Sequence, residues 1–229
     1  MNALDILHKH NLILDFQTSR IIAKHLGVDY QDILVHQDIN IQQDLTSLES
    51  DLKKFQKNYP LDYILKEIQF AQYKFFLDDG CLIPREETEY IVLEFQKYLE
   101  SRSSIFNKLL NLKLAGYSLV DLGCGCGVIG ISLANLFDKV YLVDNYPAPI
   151  NNTGKNIELH KKTNSNLQKS DLLSVFLTSI KLSNPWVLFA NLPYVPESDI
   201  QNRDKFNTRF EPKEAIYATN NGLSLFQKT

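Results

Sequence analysis

Four of the nine glycines in this 229-residue chain fall within eight positions: Gly123, Gly125, Gly127 and Gly130. They follow the apolar run Leu119 to Leu122 and open a second run that begins at Val128. Asp121-Leu122-Gly123-Cys124-Gly125-Cys126-Gly127 therefore reads as a turn from a strand into a helix, with few Cβ groups in the way. A ligand can lie against the bare main chain of such a turn, with the free N–H groups of the helix directed at it. A second apolar run, Trp186 to Ala190, ends in Asn191-Leu192-Pro193-Tyr194. Asn191 carries a side-chain acceptor. Pro193 restricts Leu192 to an extended backbone, which aims the Leu192 carbonyl. Tyr194 offers a flat wall to a planar group.

Two ligands compete for the glycine turn. Gly125-x-Gly127-x-x-Gly130 matches a dinucleotide fingerprint, with Asp144 placed 19 residues after Gly125. An acidic residue at a strand end followed by G-x-G-x-G is instead the pattern of S-adenosylmethionine enzymes, and Asp121 fits it. A carboxylate beside the turn suits the cationic methionine amine and repels a pyrophosphate. The second reading is preferred, and a purely structural glycine turn is the third. With S-adenosylmethionine as cofactor, Asp121, Gly123, Cys124, Gly125, Cys126 and Gly127 surround its methionine end and Asp144 accepts from the ribose hydroxyls. Ser170-Asp171-Leu172 then places Asp171 to accept from the adenine amino group, with Leu172 against the ring. A helix cap at Ser170 or Asp171 explains the same residues equally well.

The Asn191 turn suggests what the methyl group is transferred to. The nitrogen of an amide or an aromatic amine has a delocalised lone pair and is a poor nucleophile. Two acceptors gripping both N–H bonds orient it and favour the charge that develops on it. The Asn191 side-chain oxygen and the Leu192 carbonyl can be that pair, with Pro193 and Tyr194 completing the catalytic and substrate-binding turn.

These groups need a frame. From Ser118 onward strands and helices alternate: strands at Leu119–Leu122, Val140–Val143, near Leu167 and at Trp186–Ala190, with helices at Val128–Phe137 and Ile150–His160 between them. That order implies a parallel wound sheet, whose strand C-termini line the ligand crevice. Residues 1–59 read as a small helical domain, with apolar faces at Leu4, Ile6 and Leu7, at Ile21, Ile22 and Leu26, and at Leu45, Leu48, Leu52 and Phe55. Residues 60–83 read as a linker carrying an aromatic-rich hairpin over 67–77. The third segment, 84–229, opens with a helix from Glu86 to about Ser101, whose first-turn acids favour a helix N-terminus, and a second helical piece follows to Lys113. Residues 195–221 show no periodicity. Gly222 to Lys228 reads as the start of a helix.

The rim motif resembles the N-P-P-Y motif of amino-group methyltransferases, and the chain as a whole resembles the protein-(glutamine-N5) methyltransferases of peptide-chain release factors. Ile83 to Glu89, Asp121 to Gly127, Asn191 to Tyr194 and the Glu211-Pro212 segment correspond to that family's motifs in order. The resemblance implies an α/β fold with a Rossmann-like methyltransferase sheet, a helical substrate-docking domain and a hairpin. It also implies that the substrate is the glutamine of a Gly-Gly-Gln tripeptide. Gly123 to Gly127, Asp144 and Leu172 then touch the cofactor, and Asn191 to Tyr194 hold the glutamine. Leu192 departs from the family by replacing the first proline, which gives a less rigid turn. The chain is also short: 35 residues follow Tyr194. The C-terminal strands of the family are expected to be missing, and the Trp186 strand to form a sheet edge.

Composition narrows the alternatives. Lys plus Arg is 24 and Asp plus Glu is 27, a net charge of −3, which disfavours a protein that works by non-specific nucleic-acid binding. No apolar run is long enough to cross a membrane. Three cysteines make no disulfide framework and point to the cytoplasm. Cys124-x-Cys126 with Cys81 falls short of a zinc set, so no metal is expected. A nucleic-acid adenine or cytosine N-methyltransferase is the runner-up, and a non-catalytic remnant that only binds is the third reading.

Overall fold

The structure, a computed structural model, describes residues 2–37, 39, 41, 45–101, 114–182, 184–202 and 208–229. They form two compact units, Met1–Glu67 and Ile68–Thr229.

The first unit is helical: α1 (Ala3–Lys9), α2 (Phe16–Leu26), α3 (Tyr30–Val35), α4 (Thr46–Gln56) and α5 (Leu61–Leu65). Side chains close the helix starts. Asn2 and Asp5 form a reciprocal capping box on α1, as do Asp15 and Thr18 on α2, and Asp29 caps α3. Gly27, at φ +68°, ends α2. The apolar faces converge on a core containing Ile6, Leu7, Ile21, Ile22, Ile33, Leu48 and Leu52. Ile64 and Leu65 of α5 are buried in the same core. The helical unit therefore runs to Glu67 and does not stop at 59, because Pro60 opens one more helix that supplies two core residues.

The hairpin, β1 (Glu67–Phe70) and β2 (Tyr73–Phe76), is not a free linker. Asn156 Oδ1 accepts from the Phe76 N–H at 2.7 Å, and Asn152 Oδ1 accepts from the Asp78 N–H at 2.8 Å. Both carboxamides also donate to the Phe76 carbonyl at 2.8 Å. The hairpin is thus stitched into the second unit by two asparagines one helical turn apart.

That unit continues with α6 (Glu86–Ser101), β3 (Leu114–Leu122), α7 (Val128–Leu133), β4 (Phe137–Asp144), α8 (Pro147–Leu159), β5 (Ser165–Lys169), α9 (Ser174–Thr178) and β6 (Trp186–Ala190). The second helical piece expected up to Lys113 lies outside the described residues. α7 is shorter than its apolar run suggests: a 3-10 turn at Ala134–Leu136 follows it, and Phe137 already belongs to β4. The sheet is parallel, in the order β5-β4-β3-β6. Leu122 stands beside Val143 on one side and Ala190 on the other. The strand C-termini therefore share one rim, and the order reverses between β3 and β6, where a wound sheet opens its ligand crevice. Among the described residues β6 is an edge strand, with Trp186 44% and Leu188 37% exposed.

Val120 and Leu122 face one side of the sheet, packed with Tyr141, Val143 and Leu192. The unpatterned region contains β7 (Val195–Pro196) paired in parallel with β8 (Tyr217–Ala218), and 3-10 turns at Glu197–Asn202 and Lys213–Ala215. The expected helix at Gly222 to Lys228 is a series of turns instead. Gly222 has φ +84° and lies so close to the Tyr194 main chain that a Cβ would overlap the Tyr194 carbonyl oxygen. That left-handed turn bends the segment over Tyr194.

Candidate active site

Gly123, Gly125 and Gly127 have φ of +69°, +58° and +84°, a region that side-chain-bearing residues occupy at a cost of about 1–2 kcal/mol each. Four hydrogen bonds brace the turn. The Gly123 and Cys124 N–H groups donate to the Val143 carbonyl at 2.8 and 3.0 Å. Thr153 Oγ1 donates to the Gly125 carbonyl at 2.7 Å, and Asn156 Nδ2 to the Cys126 carbonyl at 2.8 Å. Asn156 therefore ties the glycine turn to the hairpin. A Cβ added at Gly125 would meet nothing within 4 Å, so the turn has an open side that can receive a ligand.

Asp144 lies at the end of β4. Its Oδ2 accepts from the Gly125 N–H at 3.0 Å and its Oδ1 from the Tyr146 N–H at 3.1 Å. Each oxygen keeps a lone pair for a ribose hydroxyl. Burial raises the Asp144 pKa, and the main-chain N–H groups of Tyr146 and Gly125 oppose that rise. A cavity here is lined by Gly123, Gly125, Asp144, Asp171, Leu172 and Asn191. Five of the expected cofactor residues are thus brought together, beside Asn191, which the sequence offers to cofactor and substrate alike.

Asp121, Cys124, Cys126 and Gly127 do not line that cavity. Asp121 is completely buried. Strand alternation turns it away from the face of Val120 and Leu122, and its Oδ2 accepts from the Gly130 N–H at 2.8 Å. Its Oδ1 is buried without a partner. Burial pushes its pKa up to about 7, opposed by the Gly130 N–H and reinforced by the Asp144 charge. Asp121 therefore ties the start of α7 to β3, buried away from the cavity that Asp144 lines. Cys124 and Cys126 are buried, and Cys124 Sγ stands 3.7 Å from Thr153 Oγ1. Gly127 provides the left-handed N-cap of α7.

A second cleft, of about 580 Å³, opens on the other side of the Asn191 turn. Its walls include Ile91 and Val92 of α6, Phe189 of β6 and Ile216, with Thr88 and Asn191 among its polar groups. The two cavities share Leu82, Asn191, Leu192, Pro193 and Ala215, so the Asn191 turn is the partition between them. The Leu192 side chain is 3% exposed. Its burial in the cluster beneath β3 and β4 anchors the turn where the family has a proline ring. Tyr194 is 63% exposed and lines the larger cleft.

Residues far away in sequence support this partition. Asn191 Nδ2 donates to Thr88 Oγ1 at 3.1 Å. Glu211, 4% exposed, accepts from the Ile83 N–H at 3.0 Å and from Arg85 at 2.6 Å. Glu89 Oε1 accepts from the Ala71 N–H at 2.9 Å. The first turn of α6 is therefore fastened to the hairpin and to the segment before Pro212. Thr88, Asn152, Thr153 and Asn156 were not identified from the sequence, because no local pattern marks a side chain whose partner is remote.

A family model for lysine methyltransferases matches residues 91–176. The chain is 29% identical to the release factor glutamine methyltransferase of Mycoplasma mycoides subsp. mycoides, over 99% of this chain and 76% of that one. It is 30% identical to the protein of the same name from Clostridium botulinum, over 90% of this chain and 70% of that one. A crystal structure of a tRNA methyltransferase from M. jannaschii aligns with 71% of this chain and 47% of its own, at a TM-score of 0.40 and 17% identity. The open glycine turn and the Asp144 carboxylate fit S-adenosylmethionine, which is the cofactor. On the strength of its likeness to the release factor glutamine methyltransferases, the chain is a methyltransferase and belongs to their family.

Proposed function

We propose that this chain methylates the side-chain amide nitrogen (N5) of the glutamine in the Gly-Gly-Gln tripeptide of a peptide-chain release factor. The observation that carries this reading is the sharing of Asn191, Leu192 and Pro193 by the cofactor cavity and the larger cleft. A planar carboxamide entering the cleft meets the cofactor cavity at that turn, with Leu82 and Ala215 beside it.

S-adenosylmethionine supplies an electrophilic methyl group on a sulfonium. Gly123, Gly125 and Asp144 would hold it, with Asp171 and Leu172 suited to its adenine. Asn191 Oδ1 and the Leu192 carbonyl accept the two N–H bonds of the glutamine amide. That grip turns the nitrogen toward the donor and stabilises positive charge developing on it. Tyr194 covers the open face of the amide plane. The apolar walls from Ile91, Val92, Phe189 and Ile216 exclude water, which strengthens those hydrogen bonds.

The helical unit Met1–Glu67 is the docking module for the release factor. It exposes Ile13, Phe16 and Val35, apolar surface of the kind that partners cover. The three cysteines form no disulfide among the described residues, which suits the cytoplasm, where a release factor is met. No described helix is long and apolar enough to cross a membrane. Incubation with labelled S-adenosylmethionine and a purified release factor, followed by mass mapping, tests the reading. A methyl group on the Gly-Gly-Gln glutamine is expected. Label in RNA or DNA, with the release factor unlabelled, overturns it.

A further inference from the structure

The walls of the cofactor cavity carry three carboxylates, Asp144, Asp171 and Glu214, and, among the described residues, no lysine, arginine or histidine. None of the three is in an ion pair among the described residues. Their charges converge on Tyr146, which lines the same cavity. Burial raises the pKa of its phenol, and Glu214, Asp144 and Asp171 each raise it further. The glycine turn and Asp144 mark this cavity as the cofactor's; its charge is a separate property with a separate consequence. S-adenosylmethionine carries a sulfonium, and when its methyl group is lost the C–S bonding pair stays on sulfur. The product, S-adenosylhomocysteine, therefore differs from the donor by one methyl group and one unit of positive charge. Hydrogen bonds to ribose, adenine and the amino-acid end are common to both and discriminate little. A charge on the wall acts on the difference itself.

We propose that Glu214 is a specificity-determining residue of this cavity, whose carboxylate favours the cationic donor over the neutral product. Asp144 and Asp171 add to the same field, but each also has a hydrogen-bonding task toward groups that donor and product share. Asp144 in addition holds the Gly125 and Tyr146 N–H groups. Glu214 has neither task. It is exposed and sits on the 3-10 turn Lys213–Ala215, which follows Pro212. The main chain on either side is fastened. The Ala215 N–H donates to the Pro212 carbonyl at 3.2 Å, and the Val195 N–H donates to the Ile216 carbonyl at 3.0 Å. Glu211, just before the turn, is clasped by Ile83 and Arg85. The Glu214 charge is thus carried to the cavity wall on a fixed stretch of chain. This role holds whichever nitrogen accepts the methyl group.

Calorimetry with S-adenosylmethionine and with S-adenosylhomocysteine tests the proposal on the wild type, Glu214→Gln, Glu214→Lys and Glu158→Gln. Glu158, exposed on α8, lines neither cavity and serves as the control for net charge. At about 0.02 M salt Glu214→Gln is expected to weaken the donor about threefold, the scale of one charge pair near a surface. The product is expected to bind that variant within about 1.5-fold of the wild type. Glu214→Lys reverses the charge and is expected to shift the donor-to-product affinity ratio about tenfold. At about 0.5 M salt, where the screening length is a few ångströms, both shifts are expected to shrink. Glu158→Gln is expected to leave the ratio unchanged. Donor and product weakened equally by Glu214→Gln overturn the proposal, as does a ratio that no Glu214 variant moves or that Glu158→Gln moves as far. A wild-type protein that binds neither ligand overturns the cofactor assignment and this proposal together.

Discussion

A Cβ built on Gly123 would stand 3.0 Å from Cδ2 of Leu192. The glycine turn and the Asn191 turn therefore pack against one another. The parallel pairing of β3 with β6 produces this contact, because Leu122 and Ala190 are register partners and each is followed at once by its functional turn. The placement of both turns is set by one pair of neighbouring strands.

Gly123→Ala tests that contact. The φ of +69° disfavours any side chain, and the new methyl group would press on Leu192. A loss of about 1–2 kcal/mol is expected in urea denaturation, with S-adenosylmethionine affinity down roughly tenfold by calorimetry as the turn shifts.

Asp144→Asn keeps the size of the side chain but replaces one acceptor oxygen with a donor. The N–H groups of Gly125 and Tyr146 each need an acceptor, so one is left facing an NH₂ group. Calorimetry is expected to show S-adenosylmethionine binding weakened at least tenfold, the scale of one or two lost hydrogen bonds.

Asp121 predicts a pH dependence of stability. Its native pKa is pushed up to about 7, against 3.8 for the ordinary carboxyl. Between those values the native state binds the extra proton, so this group's contribution to stability falls as pH rises through the window and levels off above about 7. Asp121→Asn keeps an acceptor for the Gly130 N–H and carries no charge at any pH. The Tm difference, variant minus wild type, is expected to grow from pH 5 to pH 8. A constant difference would contradict the burial of a titrating Asp121.

Glu211→Gln weakens the clasp on Ile83 and Arg85. The buried glutamine retains one acceptor and loses the ion pair, at a cost of about 1–3 kcal/mol in denaturant unfolding. Because the same clasp fixes the first turn of α6, kcat is expected to fall severalfold with cofactor affinity unchanged.

The parts of this site visible in the sequence are those built from short-range chemistry. Gly123, Gly125 and Gly127 stand out because a left-handed turn against a ligand tolerates little else. The Trp186–Ala190 strand has its expected limits because its apolar run is bounded by Pro185 and the Asn191 turn. Asp121 is instructive: its position at a strand end matched the cofactor motif, yet period-two alternation already placed it on the face opposite Leu122. Asn156 gave no signal, and Thr88 and Glu211 stood out only as parts of segments that resemble the family, since their partners lie 80, 103 and 128 residues away along the chain. The turn after Asn221 was also hidden, because what bends it is contact with Tyr194.

The central claim is that Asn191 presents the acceptor amide to a donor held elsewhere. Single-turnover methyl transfer to a purified release factor by Asn191→Ala, with S-adenosylmethionine affinity of the same sample measured by calorimetry, tests it most directly. Transfer is predicted to fall by about two orders of magnitude or more while the affinity stays within about threefold. Transfer at the wild-type rate would contradict the account.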